Sequence, residues 1–251
     1  MGLGTKAIVA ADGIVVDTNE KLTASMAQAL YAAGVRVVIR YAPLPGNSAK
    51  DDLDAVELGA LTDQGHTVLL IQHPREPKYN ELTAATGLAD AQHVIAYALS
   101  IGYDPKLPQP DGRPPRLGLD MEGLKNPGPD SFAHAKAWVV AALAAGFAVF
   151  VYLGYDCGLT SAQCDELAEL GAYVDFLCDA GPYADRPAPK KGYVLKQHLQ
   201  STLAGVGVDR DDVLQNGVIY GVAKLPDPIA PDSGDPAADI TQPMAIPSSL
   251  A

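Results

Sequence analysis

Positive charge is scarce in this chain: 18 lysines and arginines stand against 30 aspartates and glutamates, for a formal net charge of -12. A surface with that balance repels phosphate backbones and anionic lipid headgroups, so neither nucleic acid nor a membrane is an expected partner. Long apolar runs are missing too. The apolar stretch from Ala137 to Tyr152 is interrupted by Gly146 and reads as helix, turn and strand, short of the ~20 apolar residues that a bilayer-spanning helix requires. At the start, Met1-Gly2-Leu3-Gly4-Thr5-Lys6 lacks a basic segment leading into a long apolar one, because Asp12 and Asp17 cut the following stretch. The expectation is a chain made in the cytoplasm without a classical signal peptide. Cysteine is equally sparse. Cys157, Cys164 and Cys178 are odd in number and too widely spaced for a C-x-x-C pair, which fits reduced, buried thiols.

Several chemical signatures are also absent. No G-x-G-x-x-G or G-x-x-x-x-G-K-[ST] run sits at a strand-to-helix turn, which argues against a doubly wound nucleotide-binding fold. There is no H-E-x-x-H, and His66, His73, His93, His134 and His198 show no close pairing; no metal or cofactor is expected. A serine hydrolase would want G-x-S-x-G, which is missing.

What is present is an ordinary globular composition: 251 residues, 48% hydrophobic and 19% charged. Short β-branched runs alternate with amphipathic stretches rich in Ala and Leu. Strands are predicted near Ile14–Asp17, Val35–Tyr41, Thr67–Gln72, Leu117–Glu122, Ala148–Leu153, Tyr173–Cys178, Tyr193–Leu199 and Val218–Val222. The earlier ones are nearly all apolar, as suits parallel strands covered on both faces. Helices are predicted at Thr23–Ala33, Asp51–Gln64, Thr83–Ile101, Ser131–Ala145 and Ser161–Leu170, each followed by a stop glycine: Gly34, Gly65, Gly102, Gly146 and Gly171. Repeated strand–helix units with about eight strands predict an α/β fold, a TIM (β/α)8-type barrel, irregular in its last third. Proline, aspartate and small residues dominate from about Leu225 onward. The expected division is therefore a barrel over 1–224 and a flexible or docking tail over 225–251, with the tail as a contact for a protein partner or a second copy.

The strongest chemical signal is Gly118-Leu119-Asp120-Met121-Glu122-Gly123, ending the predicted fourth strand. Residues two apart on a strand share a face, so Asp120 and Glu122 point the same way. Two acids on one face raise one another's pKa, and a carboxyl that stays protonated near neutrality can protonate a leaving oxygen. The bland alternative is that Glu122 opens a solvated loop and Asp120 caps local backbone donors. Asp17 ends strand one, and in a barrel the strand ends converge on one face, so it would approach Asp120 and Glu122. The run Val208-Asp209-Arg210-Asp211-Asp212 reads as a solvated acidic turn near the closing strand, with Asp209 a candidate fourth wall of the site. Polar and aromatic residues recur at other strand ends: Arg40 and Tyr41, Gln72 and His73, Tyr152 and Tyr155, Asp179, and Gln197 and His198. That composition suits a sugar, whose ring faces stack on aromatics and whose hydroxyls pair with amides, carboxylates and guanidinium groups; Arg40, Tyr41, Gln72, Tyr152, Asp179 and Gln197 are the candidate substrate-binding residues. Arg40 has a second use, pairing with an acid such as Asp17 to hold it ionised.

In order, Gly13 to Asp17, Val37-Val38-Ile39-Arg40-Tyr41, Leu61 to Gln72, Leu119-Asp120-Met121-Glu122, Ala145-Gly146-Phe147 to Tyr155, Lys196-Gln197-His198 and Val208-Asp209 resemble the DUF1906 glycoside hydrolase-like domain. That family is related to the muramidases of glycoside hydrolase family 25 and occurs in actinobacterial and phage proteins. The likeness spans roughly residues 11–224. It implies a barrel with its site at the C-terminal mouth, Glu122 as general acid, Asp120 beside it, and Asp17 and Asp209 framing the scissile bond. It also implies that Asp120 orients a substrate N-acetyl group acting as internal nucleophile, a recognised exception to the two-carboxylate scheme. The muramidases carry tryptophan near the ends of strands six and seven; here those places read Phe176-Leu177-Cys178 and Leu195-Lys196-Gln197, and the single tryptophan, Trp138, falls in a predicted helix. The expected function is a glycosidase that cleaves cell-wall glycan, peptidoglycan, in phage lysis or wall remodelling, carried on the virion or released at lysis. The alternative is an inactive barrel serving as a carbohydrate-binding or virion component.

Overall fold

The computed structural model describes residues 2–9, 13–47, 50–75, 82–110, 112–124, 130–179, 187–198, 200–214 and 218–225. The predicted tail from Pro226 to Ala251 lies outside the described residues. In chain order the elements are β1 (Leu3–Val9), β2 (Ile14–Asp17), α1 (Ala24–Ala32), β3 (Val35–Ala42), α2 (Ala55–Asp63), β4 (Thr67–Gln72), α3 (Ala84–Ser100), β5 (Arg116–Asp120), α4 (Asp130–Ala144), β6 (Ala148–Leu153), α5 (Ser161–Glu169), β7 (Val174–Asp179), β8 (Leu195–Gln197), β9 (Ser201–Leu203), β10 (Val206–Val213) and β11 (Val218–Lys224). Among the described residues no helix is long and apolar enough to cross a membrane.

Eight strands close into a barrel in the order β4-β3-β2-β10-β8-β7-β6-β5, with β5 pairing back onto β4. Neighbours from β2 through β8 pair in parallel, as the buried apolar runs predict. The helices follow their strands and start where a side chain can accept an orphan amide: Thr23, Asp54, Thr83 and Thr160 cap α1, α2, α3 and α5. Asp54 as cap is why α2 begins at Ala55 rather than at Asp51. Of the stop glycines, Gly34, Gly65, Gly102 and Gly146 adopt the left-handed backbone that favours glycine, whereas Gly171 does not.

The last third departs from expectation in a way that matters for the site. The acidic run after Val206 is not a solvated turn but β10, which closes the barrel antiparallel to both β2 and β8. It enters from a tight hairpin with β9, whose Ala204 and Gly205 both have positive φ, 53° and 82°, as a type I′ turn demands. Along β10 the residues alternate. Val206 and Val208 pack into the layer between barrel and helices, while Asp209 and Asp211 share the opposite, inward face. The strand at Val218–Lys224 is therefore not the eighth of the barrel. It pairs along its length with β1, an element not foreseen, and meets β4 only at Val222↔Val68.

Two apolar layers hold this arrangement. One lies between helices and strands and includes Trp138 of α4, Tyr103, Phe147 and Phe176. The other fills the barrel and includes Val15, Val37, Ile39, Leu69, Ile71, Phe150, Leu177 and Leu195. Gly118 makes room for that inner plug: a Cβ there would lie 2.4 Å from Phe150 Cζ and 2.8 Å from Ile71 Cγ1. Gly118→Ala is expected to destabilise the protein by about 1–3 kcal/mol through overpacking, read as a lower denaturant midpoint. An unchanged midpoint would mean that the ring of Phe150 is free to move aside. The three cysteines are buried and no disulfide joins them; burial pushes the Cys164 thiol up to about 12.

Candidate active site

The C-terminal ends of the barrel strands gather the acids. Asp17 closes β2, Asp120 closes β5 with Glu122 just beyond it, and Asp209 lies directly across from Asp17 in the β10–β2 ladder. Asp17, Thr18, Tyr41, Glu122, Val208 and Asp209 line a hollow of about 180 Å³. Beneath it Ile39, Ile71, Tyr152 and Leu177 surround only about 10 Å³ of space, so the hollow has a solid floor.

Glu122 is aimed by its backbone. Its N–H donates to Asp120 Oδ1 at 3.0 Å, while the flanking N–H groups of Met121 and Gly123 donate to the carbonyls of Tyr152 and Tyr155 at the end of β6. Asp120 is thus a local cap as well as an acid, and it sits buried behind Glu122 rather than in the hollow. Gly154 leaves the space that the Glu122 side chain occupies: a Cβ there would lie 2.3 Å from Glu122 Cβ and 2.7 Å from Oε2. Gly154→Ala should displace the carboxyl and lower any turnover that depends on it by about 10²-fold, since a misplacement of roughly 1 Å has that effect. Retained turnover would show that the Glu122 position is not critical.

Asp17 is held by two donors. Tyr41 Oη donates to Oδ1 at 3.3 Å and Gln197 Nε2 to Oδ2 at 2.6 Å, and Gln197 in turn accepts from Tyr152 Oη at 2.5 Å. Burial nevertheless dominates, helped by the charges of Asp209 and Glu122, and pushes the Asp17 carboxyl up to about 7. Burial, and then the neighbouring Glu122, raises Asp120 well above the usual carboxylate range. A carboxyl with a raised native pKa binds its proton more tightly in the folded than in the unfolded chain. Its contribution is therefore complete below pH 3.8 and is lost as pH rises toward 7 for Asp17. Stability is expected to fall across that window, by about 1.4 kcal/mol for each pH unit the pKa is displaced, and Asp17→Asn should flatten the fall. Denaturation midpoints from pH 4 to 7 check this, and parallel curves for the two proteins would contradict it.

Two expected sugar-binding residues face the wrong way. Arg40 and Gln72 alternate with the inward residues of their strands and so point into the helix layer. Arg40 does not pair with Asp17. Its Nε and Nη2 lie 2.7 and 3.3 Å from the Glu57 carboxylate of α2, Nη2 donates to Asp51 O, and Nη1 donates to the Thr18 carbonyl. Gln72 accepts from the buried indole N–H of Trp138 at 2.8 Å. Tyr41, Tyr152 and Gln197 do reach the site, while the Asp179 side chain lies outside the described residues. Sequence reasoning missed Asp211 as an inward acid, and also missed the partners of His73, which stacks on Tyr41 at 4.5 Å and bonds to Asp52 at 2.7 Å. The Leu203-Ala204-Gly205-Val206 turn signal, read with the alternation beyond it, would have placed Asp211. Among the described residues no His, Cys, Asp or Glu cluster is arranged to hold a metal ion.

The fold is thus a closed (β/α)8-type barrel with carboxylates gathered at its mouth. Among solved structures, the chain is similar to the Tat-secreted protein Rv2525c of Mycobacterium tuberculosis in complex with HEPES, at TM-score 0.56 and 18% identity over 82% of this chain and 98% of that one. The same protein with L-tartrate overlays at TM-score 0.55 and 17% identity, over 82% and 97%. A bacterial lysozyme from Streptomyces coelicolor overlays at TM-score 0.49 and 12% identity, over 82% and 93%. No family model matches the chain. No curated protein matches it in sequence.

Proposed function

We propose that this protein is a glycosidase of the DUF1906 type that cleaves cell-wall glycan, with peptidoglycan as substrate. The observation that carries this reading is that Glu122, Asp17 and Asp209, from three separate strands or their ends, open onto one hollow, with Asp120 buried behind Glu122. Glu122 is the acid that protonates the leaving oxygen. Asp17 and Asp209, as carboxylates, face the positive charge that develops on the sugar ring in an oxocarbenium-like transition state. Tyr41 and the Tyr152–Gln197 pair hold Asp17 in place. Asp120 keeps the Glu122 backbone in register through Oδ1, while its buried Oδ2 has no hydrogen-bond partner among the described residues, and burial together with the neighbouring Glu122 favours the protonated form of this carboxyl.

A second reading, a binding barrel without turnover, draws support from the lack of a tryptophan platform at the hollow: Trp138 is buried against Gln72 instead. Release of reducing ends from purified peptidoglycan separates the two. Turnover by the wild type that Glu122→Gln abolishes supports the glycosidase; binding by both proteins with no release supports the barrel without activity. With a net charge of -12, the surface is repelled by an anionic wall, so either role calls for a tether or partner, for which residues 226–251 are the proposed contact.

A further inference from the structure

Below the layer of Asp17 and Asp209, the inward face of β10 carries a second acid. Asp211 sits across from Val15 in the β2 ladder and from Gln197 in the β8 ladder, only 2% exposed. Neither of its carboxylate oxygens has a hydrogen-bond donor among the described residues. The Asp17 carboxyl is its diagonal neighbour across the β10–β2 ladder, on the same inward face, and interacts with it. Two carboxylates offer only acceptors to each other, so that contact becomes a hydrogen bond only when one of them carries a proton. The surroundings decide which. Asp17 accepts from Tyr41 of β3 and Gln197 of β8, bonds that favour its charged form, whereas Asp211 has no such support. The other charges acting on Asp211, from Asp209 and Asp212 on its own strand, are both negative, and the Tyr152–Gln197 pair of β6 and β8 bonds to Asp17 rather than to Asp211.

We propose that Asp211 is a positioning residue that keeps the shared proton and donates it in a hydrogen bond to Asp17, leaving Asp17 the charged member of the pair at the base of the site. Burial and the Asp17 charge both push the Asp211 carboxyl well above the carboxylate range, in keeping with this order. The catalytic consequence rests on the glycosidase reading above; the protonation order does not. Like-charged carboxyls in contact titrate as a pair, one proton at a time.

Carboxyl ¹³C titration of the full chain tests the order, with Asp17→Asn and Asp211→Asn used to assign the two signals. The Asp211 signal is expected to stay that of a protonated acid throughout the step in which Asp17 ionises. Release of the Asp211 proton first, or ionisation of both near pH 4, would overturn the proposal. Asparagine at 211 keeps a neutral donor and leucine does not, so the Asp17 midpoint should lie about one pH unit higher in Asp211→Leu than in Asp211→Asn. Equal midpoints in the two variants would also overturn it. On peptidoglycan near pH 6, Asp211→Leu should turn over about tenfold more slowly than Asp211→Asn, the fold-change that one pH unit implies. A wild type inactive on the glycan would remove the glycosidase reading, while the titration would still decide the pair.

Discussion

Glu122→Gln is expected to lower kcat/KM on peptidoglycan by about 10²–10⁴-fold, the usual contribution of a positioned general acid. Glutamine keeps the volume and the amide N–H bond to Asp120, so the fold and the hollow should survive. What it lacks is a proton to deliver. The loss should therefore fall on kcat and kcat/KM together, because the interaction removed exists only in the transition state. A glycoside whose leaving group is already a weak base needs little protonation, so the variant should lose far less on an activated aryl glycoside than on the polymer. That contrast separates acid catalysis from binding: a Glu122 that merely held the sugar would cost the same on both substrates and would raise KM. Equal turnover by the two proteins would end the assignment.

The barrel was legible because its evidence is local and repeated. Each parallel strand from β2 to β6 is an apolar run followed by a helix with a stop glycine, and the structure places those units where the pattern predicts them. Asp17 and Glu122 were legible for the same reason, since a strand fixes which residues share a face, and both line the hollow; Asp209, read as part of an acidic turn and only a candidate wall, joins them from within β10. The failures have a different physical origin. Arg40 and Gln72 sit one position away from inward-facing residues, Ile39 with Tyr41 and Ile71, and a one-residue offset in a strand turns a side chain from the mouth to the helix layer. A strand buried on both faces carries no polar–apolar alternation to reveal that offset. The antiparallel β10 was hidden by its charge. Asp209 and Asp211 face inward and Arg210 and Asp212 face solvent, so the run reads as uniformly polar although only one of its faces is wet. That the closing strand came from here and not from Val218–Lys224 depends on contacts with β2 and β8, which are remote in sequence.

The misplaced Arg40 carries the second large effect. Removing its partner, as in Glu57→Ala, should destabilise the protein by about 3–5 kcal/mol, because a fully buried guanidinium is left without a counter-charge. Glu57 also accepts the Leu22 backbone N–H at 3.0 Å, so the loss includes a second orphaned donor. A denaturant midpoint lowered accordingly at unchanged m value is the expected reading, and a cost under about 1 kcal/mol would show that water or another acid replaces the pair. The double change Arg40→Met with Glu57→Leu should recover the part of the loss that comes from the unpaired guanidinium, since apolar residues of similar volume often replace a buried ion pair without loss, while the Leu22 N–H stays unpaired. It should not recover turnover. Arg40 ties β3 to the Thr18 carbonyl beside Asp17 and to the Asp51 carbonyl that leads into α2, and a methionine makes neither bond. A stable double variant with impaired catalysis would assign the pair to holding the β2 end of the site in place; one that is both stable and fully active would show that the Asp17–Tyr41–Gln197 bonds suffice without it.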